Sequence, residues 1–243
     1  MNIQMKRILS ILTVILSITL SACGQDMKLQ EGLALKYLVQ MPAQKSQHPP
    51  VIIIMHGYGS DEKDMFALRK VLPANYLIIA ARAPFALPQG GYQWFEPDRT
   101  SGKYNGKKED LDKSRELVAA FIGQVISKYS ADAKQVYLMG FSQGAIMSYE
   151  VGLTHPSALK GIGVLSGVLF PSLKPLIKVT PTLKQLKIFI AHGTADDRLS
   201  FAEGKAAYDY LKSIGLNPEF HQYPGMGHTI TNDVITNLVN WMK

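Results

Sequence analysis

Apolar runs of strand length alternate with amphipathic stretches of helical length along most of the 243-residue chain. The run Val51–Met55 (VIIIM) is rich in β-branched residues, as is typical of a central strand. Within 111–129 the apolar residues recur at intervals of one, three and four, which marks one face of a helix. Strands that alternate with helices favour a mainly parallel sheet covered by helices on both faces. We therefore predict one α/β domain over residues 32–243.

The predicted elements follow from the same patterns. Strands are predicted at 33–39, 51–55, 76–81, 135–139, 161–165, 186–191 and 219–223. Helices are predicted at 64–72, 111–129, 201–214 and 232–243, and one more is predicted to begin after Ser142. A long polar loop, 84–108, separates the third strand from the longest helix.

The N-terminal segment carries the marks of an export signal. Lys6 and Arg7 precede an apolar segment, 8–20, that is shorter than the roughly 20 residues of a membrane-spanning helix. The segment ends in LSAC, whose Cys23 is the only cysteine of the chain, and it resembles the bacterial lipobox. We predict a signal peptide at 1–22 and a lipidated N-terminus and tether at 23–31. The protein is then a membrane-anchored lipoprotein of the cell envelope, in the outer membrane if the source has two membranes.

Composition limits the classes of partner. The net charge of +7 falls to about +5 without Lys6 and Arg7, and no long basic run is present, so nucleic-acid binding is not predicted. With one cysteine, no intramolecular disulfide is expected. None of the six histidines lies two or four residues from another, and neither a metal nor a cofactor is predicted. His56 and His192 are instead expected to be strand-end residues whose ring nitrogens are both satisfied. The sequence leaves the oligomeric state open.

The motif G-x-S-x-G occurs at residues 140–144 (GFSQG), between the strand predicted from residue 135 and the following helix. This context is that of a nucleophile elbow, in which a sharp turn lifts the serine hydroxyl out of the sheet. Neighbouring backbone approaches so closely there that only glycine fits on either side of the turn. The helix N-terminus also favours developing negative charge. Ser142 is therefore the candidate nucleophile.

A serine nucleophile needs a base, and the base needs a group that fixes its tautomer. His228 lies in the loop between the last predicted strand and the last helix, where a parallel-sheet hydrolase places its base. Asp196 directly follows another predicted buried strand, in the segment HGTAD. The chain order Ser142, Asp196, His228 is that of the α/β-hydrolase fold.

Four segments in order, HGYG at 56–59, GFSQGA at 140–145, HGTAD at 192–196 and GMGH at 225–228, resemble the phospholipase/carboxylesterase family, which includes the acyl-protein thioesterases. The resemblance spans residues 51–243. It implies Ser142 as nucleophile, Asp196 as orienting acid and His228 as general base. A proline often follows the acid in this family, but Asp197 takes that place here, so Asp197 is the alternative acid.

Acyl transfer also needs donors for the oxyanion of the tetrahedral intermediate. The backbone N–H of Gln143, the residue after the nucleophile, is one candidate. The family pattern implies the backbone N–H of Tyr58 as the other. The segment GGYQWF at 90–95 resembles the family's tryptophan-containing region beside the active site, and Tyr92 and Trp94 are possible pocket residues. Packing against the sheet rim is the alternative for both.

The expected activity is that of a serine carboxylesterase acting on small or medium acyl esters, with a small-molecule or lipid substrate. Lysophospholipid hydrolysis and acyl-thioester hydrolysis are the alternatives, and removal of feruloyl or acetyl groups from polysaccharide is also open. The alternative from another class is a non-catalytic surface-binding lipoprotein. Such a protein is expected to have lost some of the catalytic and oxyanion residues. The sequence retains all of them.

Overall fold

A computed structural model of the chain describes residues 28–100 and 104–243. The predicted signal peptide, Cys23 and the first part of the predicted tether lie outside the described residues. The strands are β1 (Tyr37–Gln40), β2 (Val51–Met55), β3 (Leu77–Ala81), β4 (Phe85–Ala86), β5 (Tyr92–Gln93), β6 (Pro97–Asp98), β7 (Asn105–Gly106), β8 (Val136–Phe141), β9 (Gly161–Leu165), β10 (Lys187–Gly193) and β11 (Glu219–Tyr223). The helices are α1 (Glu62–Phe66), α2 (Lys108–Tyr129), α3 (Gln143–Gly152), α4 (Pro181–Gln185), α5 (Phe201–Ser213) and α6 (Asn232–Met242).

Seven strands form one sheet in the order β1-β3-β2-β8-β9-β10-β11. All neighbours in this sheet are parallel except β1, which pairs antiparallel with β3. The predicted mainly parallel α/β sheet is therefore confirmed. In a parallel sheet of this kind the loops that follow the strands meet at one edge, where ligands bind.

Both faces of the sheet are buried, which explains its continuous apolar strands. Side chains alternate across a strand, so Ile53 belongs to one core cluster while Ile52 and Ile54 belong to the other. The first cluster includes residues of α2, α3 and α5, and the second includes residues of α1 and α6. The sheet is thus the middle layer of a three-layered domain.

The first strand is shorter than predicted, because the chain turns back before it. Gly32 has φ 89°, a left-handed conformation that favours glycine. The turn lets Gln30 pair with Tyr37 through two backbone hydrogen bonds of 2.8 and 3.1 Å. The regular strand therefore begins at Tyr37, and the end of the predicted tether already belongs to the folded domain.

The other differences lie in short elements. The helix predicted at 64–72 is α1 followed by a 3₁₀ turn, Ala67–Lys70, and α4 was not predicted. The predicted loop 84–108 contains two small antiparallel ribbons, β4–β5 and β6–β7. Among the described residues, the helices are all too short or too polar to cross a bilayer.

Candidate active site

Ser142 lies between β8 and α3 in a strained backbone conformation, with φ 55° and ψ −117°. A residue with a side chain rarely adopts a positive φ, and such strain is concentrated at functional sites. A Cβ on Gly140 would lie 2.2 Å from the carbonyl group of Gly144, which excludes any side chain there. The sharp turn expected from the G-x-S-x-G motif is present, and its glycines are required by close backbone contact.

Asp196 and His228 are brought together by the loops that follow β10 and β11. The Oδ2 atom of Asp196 lies 2.8 Å from Nδ1 of His228. The Oδ1 atom accepts hydrogen bonds from the backbone N–H groups of Arg198 and Leu199, both at 3.0 Å. Asp197 is exposed and makes no such contact within the described chain. The geometry thus favours Asp196 over Asp197 as the partner of His228.

The Asp196 carboxylate is held in its ionised form. Burial raises the pKa of Asp196, but the hydrogen bonds from His228 and from the two backbone N–H groups outweigh burial and leave this pKa below its ordinary value. An ionised carboxylate only accepts hydrogen bonds, so Nδ1 of His228 carries the proton that it donates. In the neutral ring, Nε2 of His228 is then free to accept a proton.

The imidazole of His228 packs against Phe141, the residue before the nucleophile, with the ring centroids 4.8 Å apart and the ring planes tilted by 40°. The hydroxyl of Ser142 makes no side-chain hydrogen bond in the part of the chain that the structure describes. The structure therefore brings His228 to the elbow without closing a Ser142–His228 hydrogen bond. Such bonds are often long in free enzymes and tighten when substrate binds.

The loop after β2 carries Tyr58 to the elbow. A Cβ on Gly57 would lie 3.3 Å from Cβ of Ser142, so this loop runs directly beside the nucleophile. Over residues 28–100 and 104–243, the backbone N–H groups of Tyr58 and Gln143 donate no hydrogen bond. Two unpaired donors beside a strained serine have the composition of an oxyanion hole.

His56 fixes the start of this loop. Its Nε2 accepts from the backbone N–H of Ala83 at 3.0 Å, so Nδ1 carries the proton and donates to the carbonyl oxygen of Gly57 at 2.7 Å. Burial lowers the pKa of His56, which keeps the ring neutral. Both ring nitrogens are satisfied, as predicted for a histidine at a strand end.

The side chain of Gln143 ties the elbow to the loop 84–108, and sequence reasoning missed this role. Its Oε1 accepts from the backbone N–H of Trp94 at 3.0 Å. Its Nε2 donates to the carbonyl oxygen of Phe95 at 2.9 Å and to the hydroxyl of Tyr104 at 3.2 Å. The motif identified Gln143 only through its backbone, since nothing local indicates where its amide would bond.

The pocket assignment of Trp94 is wrong, because this side chain is fully buried. Its Nε1 donates to the carbonyl oxygen of His56 at 2.8 Å, so the indole supports the loop that carries Tyr58. Tyr92 is half-buried, and its hydroxyl accepts from Arg82 at 2.9 Å. Packing, the alternative for both residues, is therefore what the structure shows for Trp94, whereas the pocket role of Tyr92 stays a prediction.

Tyr104 also lines a cleft of about 420 Å³, whose lining includes none of Ser142, Asp196 and His228. Its lining includes apolar side chains from the segment after β9 and from α5, among them Val168, Leu169, Phe170 and Tyr210. Lys174 and Glu203 supply its charged groups. The cleft has the size and the mostly apolar lining of a small-molecule site.

His192 lies beneath Asp196 and is fully buried. Its Nε2 is 2.8 Å from the carbonyl oxygen of Leu199 and 3.4 Å from Oδ2 of Asp196, whereas its Nδ1 has no partner within the part of the chain that the structure describes. The prediction that both of its ring nitrogens are satisfied is therefore wrong for Nδ1. Among the described residues, no three His, Cys, Asp or Glu side chains are grouped so as to hold a metal ion.

A mainly parallel sheet with a serine elbow after β8, an aspartate after β10 and a histidine after β11 defines the α/β-hydrolase fold. The model of the phospholipase/carboxylesterase family matches residues 37–243, and the chain belongs to that family. It is accordingly a serine hydrolase that acts on acyl esters.

The chain is similar both to acyl-protein thioesterases and to carboxylesterases. Acyl-protein thioesterase 1 of Mycosarcoma maydis is 29% identical over 231 residues, covering 86% of this chain and 96% of that protein. A probable SOBER1-like carboxylesterase of Arabidopsis thaliana is 34% identical over 203 residues, covering 79% and 77% respectively. Among solved structures, esterase PE8 superimposes with a TM-score of 0.72 at 25% identity, over 84% of this chain and 95% of that one. A carboxylesterase from Mesorhizobium loti has a TM-score of 0.74 at 21% identity, over 88% and 97%, and shows likeness of fold alone.

Proposed function

We propose that the protein is a carboxylesterase that hydrolyses small or medium acyl esters with Ser142, His228 and Asp196 as its catalytic triad. The observation that carries the proposal is the 2.8 Å contact between His228 and Asp196 beside a serine held at φ 55°. A strained serine next to a histidine with a fixed tautomer is the arrangement that nucleophilic acyl transfer requires.

The reaction follows from these positions. Nε2 of His228 takes the proton of Ser142 as Oγ attacks the ester carbonyl, and the N–H groups of Tyr58 and Gln143 hold the resulting oxyanion. The protonated imidazole is stabilised by Asp196 and then donates its proton to the leaving alcohol. Water, activated by the same histidine, attacks the acyl-enzyme and releases the acid.

Relatives that are named carboxylesterases support an oxygen ester as the first candidate substrate. The small or medium acyl length is an expectation from the sequence, since the cleft lined by Tyr104 does not include Ser142 or His228 in its lining. The 29% identity to an acyl-protein thioesterase makes a thioester the second candidate substrate, since the tetrahedral chemistry is the same for both. Lysophospholipid is a further candidate on the same grounds.

We also propose that the enzyme works at a membrane surface of the cell envelope, in the outer membrane if the source has two. The support is the sequence pattern alone: an apolar segment at 8–20 that ends in LSAC, with Cys23 as the sole cysteine. Multiple acyl chains on Cys23 would provide a firm anchor, since each buried CH₂ contributes about 0.8 kcal/mol.

The test uses the full-length protein in mild detergent with a fluorophosphonate probe and a panel of p-nitrophenyl esters from acetate to laurate. Matched thioesters and a lysophospholipid complete the panel. We expect covalent labelling and turnover of the shorter esters, both abolished by Ser142→Ala. The control is Ser148→Ala, on the helix that follows Ser142. The Ser148 hydroxyl donates to the carbonyl oxygen of Gly144, within its own helix, and the variant should remain active. Labelling that persists in Ser142→Ala would refute the assignment of the nucleophile.

A further inference from the structure

Two residues that border the loop carrying Tyr58, Glu62 and Tyr92, both contact the guanidinium group of Arg82. Glu62, the first residue of α1, follows the loop along the chain. Tyr92, in β5, pairs with the loop from the side: its carbonyl oxygen accepts from Gly59 at 2.9 Å, and its N–H donates to Ser60 at 2.9 Å. Arg82, just after β3, contacts both Glu62 and Tyr92.

The ion pair between Arg82 and Glu62 is buried and bidentate. The Nε and Nη2 atoms of Arg82 donate to the two carboxylate oxygens of Glu62, each at 2.6 Å. The Glu62 side chain has no exposed surface, and that of Arg82 is 16% exposed. Burial raises the pKa of Glu62, but the hydrogen bonds and charge of Arg82, together with the hydrogen bond from the Glu62 backbone N–H, outweigh burial and leave this pKa below its ordinary value. The carboxylate is therefore ionised in the folded protein.

The third contact of Arg82 is to Tyr92. Its Nη1 donates to the Tyr92 hydroxyl at 2.9 Å, and the guanidinium lies 4.5 Å from the centroid of the same ring. Next to Tyr92, a Cβ on Gly91 would lie 2.1 Å from the carbonyl oxygen of Gly59. The strand β5 and the loop are therefore in direct backbone contact, and a shift of Tyr92 must move Gly59 and Ser60.

A buried ion pair is weak evidence for stability, because desolvation offsets most of its attraction. Fixed geometry is the better explanation here, since Arg82 joins Glu62 and Tyr92, the two residues that border the loop. Between those segments, the Tyr58 side chain is 47% exposed and its backbone N–H is unpaired within the described residues. The position of this N–H group therefore depends on the contacts that neighbouring residues make with the loop.

We propose that Glu62, Arg82 and Tyr92 are positioning residues for the reaction, which hold the loop so that the N–H of Tyr58 points at the oxyanion. None of the three touches the reacting atoms. They act through the loop backbone, and their effect is greatest when the tetrahedral intermediate forms. The inference rests on the proposed function, because it assigns to Tyr58 the second oxyanion donor.

The test compares Tyr92→Phe and Glu62→Gln with wild type on a p-nitrophenyl ester, with kcat expressed per site titrated by fluorophosphonate. Loss of one oxyanion donor costs about 10²–10³ in kcat, and a displaced donor should cost part of that. We expect kcat to fall about 10-fold in Tyr92→Phe and about 100-fold in Glu62→Gln, with KM within about two-fold of wild type. Binding of a trifluoromethyl ketone, which forms a tetrahedral adduct, should weaken in parallel with kcat.

The matched control is Glu150→Gln, which breaks another buried ion pair, Arg115–Glu150, of 2.6 Å, near the C-terminal end of α3. It should lower the melting temperature and leave kcat per site unchanged. If Glu62→Gln behaved like this control, or if Tyr92→Phe kept the wild-type kcat and ketone affinity, the positioning role would be wrong. Tyr92→Phe decides alone if Glu62→Gln fails to fold. A wild-type protein without labelling or turnover would instead overturn the proposed function itself.

Discussion

Gly144 faces the carbonyl oxygen of Met55 so closely that an added Cβ would stand 2.3 Å from that oxygen. The first turn of α3 therefore rests on the end of β2, and this contact fixes the height of the neighbouring Ser142 above the sheet.

Gly144→Ala should push α3 away from β2, because the obstacle is backbone and has no rotamer with which to yield. Overpacking of this kind costs about 1–3 kcal/mol, and we expect a lower melting temperature together with at least a 10-fold loss of kcat. Gly123→Ala is the matched control, since a Cβ on this helical glycine meets no atom of the described residues within 4 Å. It should retain full activity and be as stable as wild type or up to about 1 kcal/mol more stable. Equal behaviour of the two variants would contradict the packing explanation.

Asp196→Asn should lower kcat by about 10⁴, because the amide favours the wrong tautomer of His228. Asp197→Asn should stay within about two-fold of wild type, since Asp197 is exposed and does not contact the imidazole. Steady-state kinetics on one ester, with circular dichroism to check the fold, measures both. If Asp197→Asn lost more activity than Asp196→Asn, the catalytic acid would be Asp197.

The hydrogen bonds to Asp196 should also appear in the pH dependence of stability. The pKa of Asp196 in the folded state lies below its ordinary value of 3.8, so this carboxylate stabilises the fold above that pH. The stabilisation is lost as the pH falls through the folded-state pKa. In urea titrations between pH 6 and pH 3, the difference in unfolding free energy between wild type and Asp196→Asn should therefore shrink towards acid pH. A difference that stayed constant would show that the charge contributes nothing.

Cys23→Ser should prevent lipidation and release the protein from membranes or block its processing, with no change at the active site. Mass spectrometry of the mature N-terminal peptide, combined with membrane fractionation, measures this. The wild-type peptide should begin at a lipid-modified Cys23. An unmodified terminus elsewhere, with wild-type protein in the soluble fraction, would refute the anchor.

The features that were predictable from sequence depend on local pattern. Continuous apolar runs such as Val51–Met55 identified the buried strands, and Gly161–Leu165 and Glu219–Tyr223 match the structure at both ends. The strand-to-helix context of Ser142 located the elbow, since a turn this sharp needs glycine at fixed offsets. Because the carboxyl ends of parallel strands lie at one edge of a sheet, the loops after β10 and β11 could also be expected to meet there.

The features that escaped prediction depend on long-range contacts. Trp94 was assigned to a possible pocket because an aromatic residue on a long loop gives no sign of its direction, whereas its burial under His56 follows only from the folded chain. The amide of Gln143 bonds to groups about 40 to 50 positions away, at Trp94, Phe95 and Tyr104. No local periodicity carries that information. The choice between Asp196 and Asp197 likewise needed the position of the His228 ring.

The residue that supplies the nucleophile, Ser142, also lowers the stability of the fold, because its φ is positive. A conformation of this kind costs of the order of 1–3 kcal/mol for a residue with a side chain, and glycine accepts it without that penalty. Ser142→Gly should therefore melt at a higher temperature than the active enzyme while lacking any group to acylate. Screens that reward heat resistance alone will tend to remove this serine, so a search for stabilised forms of the enzyme must select for turnover at the same time.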